Sequence, residues 1–210
     1  MKVFGDKKDF AIGYELSDKN LYGDGVNNTI GTLQCWVNGV DTLAYKYNEK
    51  ELQFKGILYY IVDWLFRKME FYLGYDMFPL PVEGNTAVEL IEHSAVDIED
   101  DLEQDLWYIA RDRWKSNHSW FSVVSDAPLS GMYFRRVGDR IEISWSNDFW
   151  KNRGIEFLSS NGSYCMDKEK FKAVLFEFLQ AVTSDFSERY RDNSFAEKWK
   201  KKALFDLNIK

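Results

Sequence analysis

The 210-residue chain reads as an α+β protein, with antiparallel strand groups (an N-terminal hairpin and a C-terminal meander) packed with long helices. Three observations predict this. Short strand-like runs cluster at 10–47 and 119–166. Apolar residues recur at helical spacing over 51–72, 86–117 and 167–207. Asn-Gly and Gly-Asp pairs stand between neighbouring strand-like runs. Strands then helices, twice over, is the order of an α+β chain rather than the alternation of a parallel sheet. The chain reads as one domain, 1–210, whose halves could form two layers. One would hold strands plus a helix (1–75), the other helices, the meander and a C-terminal helix (84–210).

Each element has its own warrant. FAIGYEL (10–16) alternates as a strand, and a polar loop (17–28) separates it from TIGTLQCWV (29–37). Asn38-Gly39 is a two-residue hairpin signal, because both residues tolerate positive φ, and TLAYKY (42–47) is the expected returning strand. Leu52, Ile57, Ile61, Leu65 and Met69 predict one long helix over 51–72. Pro79 and Pro81 make 77–83 a connector, and Gly84-Asn85-Thr86 opens a short helix with Val88 and Ile91 inward. Ile98, Leu102, Leu106, Ile109 and Trp114 are expected to form the core face of the next helix, which ends near 115–117. SWFSVV (119–124) is a predicted strand. MYFRRV and RIEISW flank a Gly138-Asp139 turn, and GIEFLS and SYCM flank Asn161-Gly162, a second predicted turn. Asp167 is a plausible N-cap for a helix to about Arg191, with Phe171, Val174, Leu175, Phe178, Leu179, Val182 and Phe186 on its apolar face. A last amphipathic segment carries Phe195, Trp199, Ala203 and Leu207.

With 45% hydrophobic and 17% aromatic residues, the chain can bury a large core, which argues against disorder. Its formal charge of −7 disfavours nucleic-acid backbones, which reward clustered cations. MKVFGDKKDF carries charges where a signal peptide needs an apolar core, and ILYYIV (57–62) is too short to span a bilayer. A soluble, cytoplasmic protein with no membrane partner is expected. Cys35 and Cys165 are then expected to be reduced, buried thiols. With His93 and His118 as the only histidines, zinc-type ligand spacing is missing, and no metal or cofactor is expected.

The sharpest feature is charge asymmetry. Residues 69–110 hold 11 acids (70, 76, 83, 89, 92, 97, 99, 100, 101, 103 and 105) and no Lys or Arg. The rest of the chain has 34 − 11 = 23 acids against 27 bases, a formal +4, so one segment carries the whole negative excess. Within it, AVDIEDDLEQDLW (95–107) places Asp97, Glu99, Asp100, Asp101, Glu103 and Asp105. A calcium loop fails here: its sixth position is Leu102 where glycine is needed, and its twelfth is Tyr108 where glutamate is needed. Paired-carboxylate catalysis needs environments that push two pKa values apart, and acids on one solvated face do not differ. A solvated helix start is the simplest account, since first-turn acids complement the helix dipole. Yet Asp97/Asp101/Asp105 and Glu99/Glu103 repeat at i,i+4, where like charges repel. A face kept for a basic protein partner explains those acids, and these six residues are its expected contacts.

Other candidates each have a plainer reading. Asp139 and Glu142 have nuclease-like strand spacing, but Ser144 stands where lysine is needed, so a polar hairpin is favoured. His118, at a helix-to-strand junction, could be a general base, although no nucleophile is placed with it; His93 has the same status. Gly23-Asp24-Gly25 and Gly84 lack the context of a phosphate loop. Lys198, Lys200, Lys201 and Lys202 interleave with Trp199, a pattern of membrane or nucleic-acid binders, but a short terminal helix is more often docked on its own domain.

FAIGYEL, the loop after it, GTLQCWVNG and the following helix together resemble bacterial immunity proteins found beside polymorphic toxins. FRRVGDRIEISW resembles a strand pair of bacterial proteins from similar neighbourhoods. The first likeness covers the N-terminal third and is one of fold, so no functional residue carries over. It implies a non-enzymatic binder of a toxin. An acidic segment suits that role, because nuclease toxins present basic clefts. The expected function is therefore protein binding, as an immunity protein neutralising a basic, nuclease-like toxin. The alternative is a defence-associated enzyme or complex subunit with a site near His118 and Glu142.

Overall fold

The first strand, β1 (Lys2–Gly5), pairs antiparallel with β2 (Phe10–Leu16), which pairs in turn with β3 (Ile30–Val37). The computed structural model describes residues 1–18, 23, 25–123 and 127–206, and for 122, 200 and 202–206 only the backbone. Of the polar loop expected over 17–28, residues 19–22 and 24 therefore lie outside the described residues. Asn38 (φ 50°) and Gly39 (φ 83°) make the expected tight turn. The returning strand is nevertheless only β4 (Val40–Asp41), not 42–47. The Asp41 carboxylate accepts from the backbone N–H groups of Leu43 and Cys35, and this local bonding peels the chain off the ladder.

Residues 42–47 instead feed β5 (Tyr45–Tyr47), which forms a second hairpin with β6 (Lys50–Leu52) across Asn48 and Glu49, both at positive φ. β7 (Lys55–Ile57) then fills the free edge of β3 beside Ile30–Thr32. The helix expected over 51–72 is thus α1 (Leu58–Arg67) and α2 (Met69–Leu73), interrupted at Lys68. Edge pairing outcompetes helix for residues 50–57, and periodicity alone cannot see an unfilled edge.

α3 (Ala87–His93) follows the proline connector, with Thr86 as N-cap accepting from Glu89 N–H. α4 (Asp101–His118) is next. The strand expected over 119–124 is reduced to a single bridge, Ser119 with Tyr133, and a 3-10 turn at Trp120–Ser122; residue 124 lies outside the described residues. Trp120 is fully buried and donates to the Ser130 carbonyl, so it acts as a wedge rather than as a strand residue.

β8 (Met132–Val137) and β9 (Arg140–Ser146) form the expected hairpin, and α5 (Asp148–Lys151) follows. β10 (Ile155–Phe157) crosses to β5, while β11 (Asn161–Asp167) pairs with β9. Asn161-Gly162 is therefore strand and not a turn. A Cβ at Gly162 would lie 2.4 Å from the Trp145 ring, so the glycine makes room for that indole. α6 (Lys168–Tyr190) starts at Asp167, whose carboxylate accepts from Lys170 N–H, and α7 (Ser194–Asp206) closes the described chain.

Among the described residues all strand pairings are antiparallel, in three sheets: β1-β2-β3-β4 with β7 also on β3, β10-β5-β6, and β11-β9-β8. Helices and antiparallel sheets thus build the predicted α+β fold. α6 lies on strands of both the first and the third sheet, burying the apolar face read for it, with Val174 half-buried. One apolar cluster runs from Phe10 through Leu65 and Phe134 to Phe178, drawing on both halves of the chain. A smaller one, Ala87, Ile91, Trp114 and Tyr133, fixes α3 and the end of α4 to β8. Cys35 is buried, but Cys165 is exposed, contrary to expectation, because alternate β11 side chains face solvent. Both thiols are free. Among the described residues, no helix is long and apolar enough to cross a membrane.

Candidate functional site

α4 is buried only at its C-terminal end, at Trp114, Asn117 and His118. Asp100 caps it by accepting from Glu103 N–H at 2.8 Å, and Asp101 and Glu103 stand in its first turn. Its last turns are held by several bonds. Trp114 is buried and donates to the Asp76 carbonyl, Trp64 donates to the Ser116 carbonyl, and Lys68 donates to the Asn117 side chain. Earlier on the helix, Trp107 donates to the Ser94 carbonyl and Tyr108 to that of Val96.

The residues expected as its core face do not behave as one. Leu102, Leu106 and Ile109 are 70%, 60% and 64% exposed, Ile98 is half-buried, and only Trp114 is in the core. At about 100° per residue, Leu102, Leu106, Ile109 and Arg113 share an arc of about 60°. Trp107, Trp114 and His118 share a different arc, about 130° away. The helix therefore carries two stripes, and the structure buries the aromatic one. The spacing held this signal: five residues separate Ile109 from Trp114, a step that leaves the face.

Beside the exposed stripe runs a groove of about 360 Å³, with Phe71, Asp76, Met77 and Pro79 on one wall and Leu106, Ile109, Ala110, Arg113, Trp114 and Asn117 on the other. Met77 is 86% exposed. The connector wall is pinned from below, since Asp76 meets His118 Nε2 at 3.0 Å and Arg136 stacks over Tyr75 at 3.7 Å.

The six predicted acids divide by position. Asp97 and Glu99 lie in the segment before the helix, so the expected repeats through 97 and 99 are not helical neighbours; Asp101/Asp105 is the i,i+4 pair that forms. Asp100 serves as the cap. Among the described residues, the side chains of Asp97, Glu99, Asp101, Glu103 and Asp105 take part in no ion pair or hydrogen bond, and all are exposed. Asp101, Asp105 and Asp112 fall on one arc, on the far side of the leucine stripe from the core. Sequence reasoning missed Asp112, which lies 3.7 Å from Arg111, and also missed the stripe itself as a surface.

The remaining candidates are engaged in holding the fold. Glu142 is buried, pairs with Arg135 at 2.6 Å and accepts from Ala87 N–H at 2.9 Å, tying α3 to the sheet. Asp139 is exposed and near Arg136, and the Ser144 hydroxyl is buried without a hydrogen-bond partner among the described residues. His118 is buried against Trp114, with Nδ1 2.8 Å from the Phe134 carbonyl and Nε2 on Asp76. Burial draws its pKa below the ordinary histidine value, although both oxygens favour the protonated ring. His93 meets the Glu83 carbonyl. Phe195 and Trp199 dock α7 on Phe66, and Lys198 approaches Asp63; the side chains of Lys200, Lys202, Ala203 and Leu207 lie outside the described residues. In a larger cleft of about 570 Å³ near Lys2, Tyr14, Asp185 and Arg189, Lys2 and Tyr14 both bond Asp185. Among the described residues, no group of three or more His, Cys, Asp or Glu could hold a metal ion.

No family model, curated protein or solved structure matches the chain. The face of α4 sets an apolar stripe between a groove and a row of aspartates.

Proposed function

We propose that this chain is a non-enzymatic protein-binding protein that holds a basic partner on the α4 face, acting as an immunity protein that covers the basic cleft of a nuclease-like toxin. The observation that carries this reading is the exposure of Leu102, Leu106 and Ile109 beside Asp101 and Asp105, which have no cationic partner among the described residues. Each aliphatic side chain forgoes more than half of the about 1.5–3 kcal/mol that full burial is worth. The Asp101/Asp105 pair adds a like-charge repulsion of a few tenths of a kcal/mol. A partner both apolar and basic relieves both costs. The local excess of acids also steers such a partner to the site. The enzymatic alternative draws no support from the geometry, because His118 and Glu142 are each occupied by bonds that fix neighbouring segments.

The test is co-expression with the product of the neighbouring gene, scoring growth and the association rate of the purified pair. Wild-type chain is expected to restore growth and to associate more slowly as salt rises. The Asp101→Lys/Asp105→Lys variant should fold, associate at least about tenfold more slowly at low salt, and fail to protect. A variant rate equal to wild type at both low and moderate salt sinks the reading.

A further inference from the structure

We infer that the occupant of the α4 face is an amphipathic helix of the partner, laid along the Leu102–Leu106–Ile109 seam with its cationic residues against the aspartate row. This rests on the reading just given and specifies what is bound. Residues 102, 106, 109 and 113 follow the 4-3-4 spacing of a heptad seam, which is complementary to the side-chain rows of a second helix. The seam runs over 12 residues, 102–113, with 11 rises or about 17 Å between its ends, three turns of a partner helix. The face offers side chains only, because the helical backbone is satisfied internally, so an added strand would find no ladder to join. The groove wall at Met77 and Pro79 gives an incoming apolar side chain a second contact surface.

Charge decides which helix fits. Asp101 and Asp105 line the open side of the seam and call for Lys or Arg, while Asp112, 3.7 Å from Arg111, extends the row. A second copy of this chain is the poorer occupant: two-fold antiparallel pairing would set Asp105 of one copy beside Asp112 of the other. The chain's own basic helix, α7, is already docked through Phe195 and Trp199. Arg113 ends the seam, exposed and without a carboxylate partner among the described residues. It gives the site polarity: the bound helix is basic where it meets Asp101 and Asp105, and carries an acid where it meets Arg113.

The experiment uses the intact chain and synthetic helical peptides of about 18 residues, five turns. One has leucines at heptad seam positions and lysines on the flanks. A second has the same composition scrambled, so that no seam exists. Two more carry a single glutamate at one or the other end of the seam. Fluorescence anisotropy is expected to show the seam peptide binding at least about tenfold tighter than the scrambled one, with part of that preference surviving high salt. Leu106→Ser should remove about tenfold of seam-peptide affinity and leave the thermal midpoint unchanged. One glutamate peptide should bind better than the other, and Arg113→Glu should reverse that preference. Equal binding of seam and scrambled peptides, abolished together by salt, overturns the helix-in-groove inference while leaving the acidic-face reading standing. No binding of any peptide also overturns it. Loss of charge steering in the Asp101→Lys/Asp105→Lys experiment is not needed for either result, so the two failures are distinguishable.

Discussion

Single residues show how an acid or base can be consumed by the fold. Glu142 neutralises Arg135 and receives the first N–H of α3, in a place from which water is excluded. Removing it leaves a cation and an amide uncompensated, and Glu142→Ala should cost about 3–5 kcal/mol in a denaturant titration. His118 makes stability depend on pH. Its folded pKa is depressed below 6.5 by burial, so in that window the unfolded chain binds more protons than the folded one. Stability should be fully present above about pH 6.5 and fall as the pH drops below it. His118→Asn should flatten that slope between about pH 6.5 and 5, before ordinary carboxylates titrate. Unfolding midpoints across that range decide the matter, and an unchanged slope in the variant contradicts it.

At the scale of elements, α4 carries the lesson. Its apolar residues all look like core in a list, and only their angular partition separates an aromatic stripe that anchors from an aliphatic stripe that does not. Substituting Leu102, Leu106 and Ile109 together by serine should change stability by less than about 1 kcal/mol, because exposed side chains have little burial to lose. Trp114→Ala, on the same helix, should cost about 3–5 kcal/mol. Thermal unfolding of the two variants separates the stripes directly. Comparable losses in both would mean that the leucine stripe is packed after all.

For the whole molecule, local signals were legible and non-local ones were not. The helix over 168–190, the Asn38-Gly39 turn and the 132–146 hairpin each rest on neighbours in sequence, and each is found. Several of the departures concern a partner far along the chain. Residues 42–47 leave their hairpin for a strand at 155–157, residues 55–57 close an edge opened at 30–32, and Gly162 yields to an indole 17 positions earlier. The acidic stretch over 95–107 was readable as a charged face. Its apolar half was hidden because exposure depends on which stripe the rest of the fold covers.

The aspartate row beside the leucine stripe has one more consequence, for colloidal behaviour. Three large aliphatic side chains facing water are adhesive between copies, and the neighbouring charges act as gatekeepers that keep molecules apart. That guard is weakest where the net charge vanishes, near the isoelectric point of about 5.0. Light scattering of the free chain should therefore rise as the pH approaches 5. The rise should be smaller for the triple serine variant at the same pH.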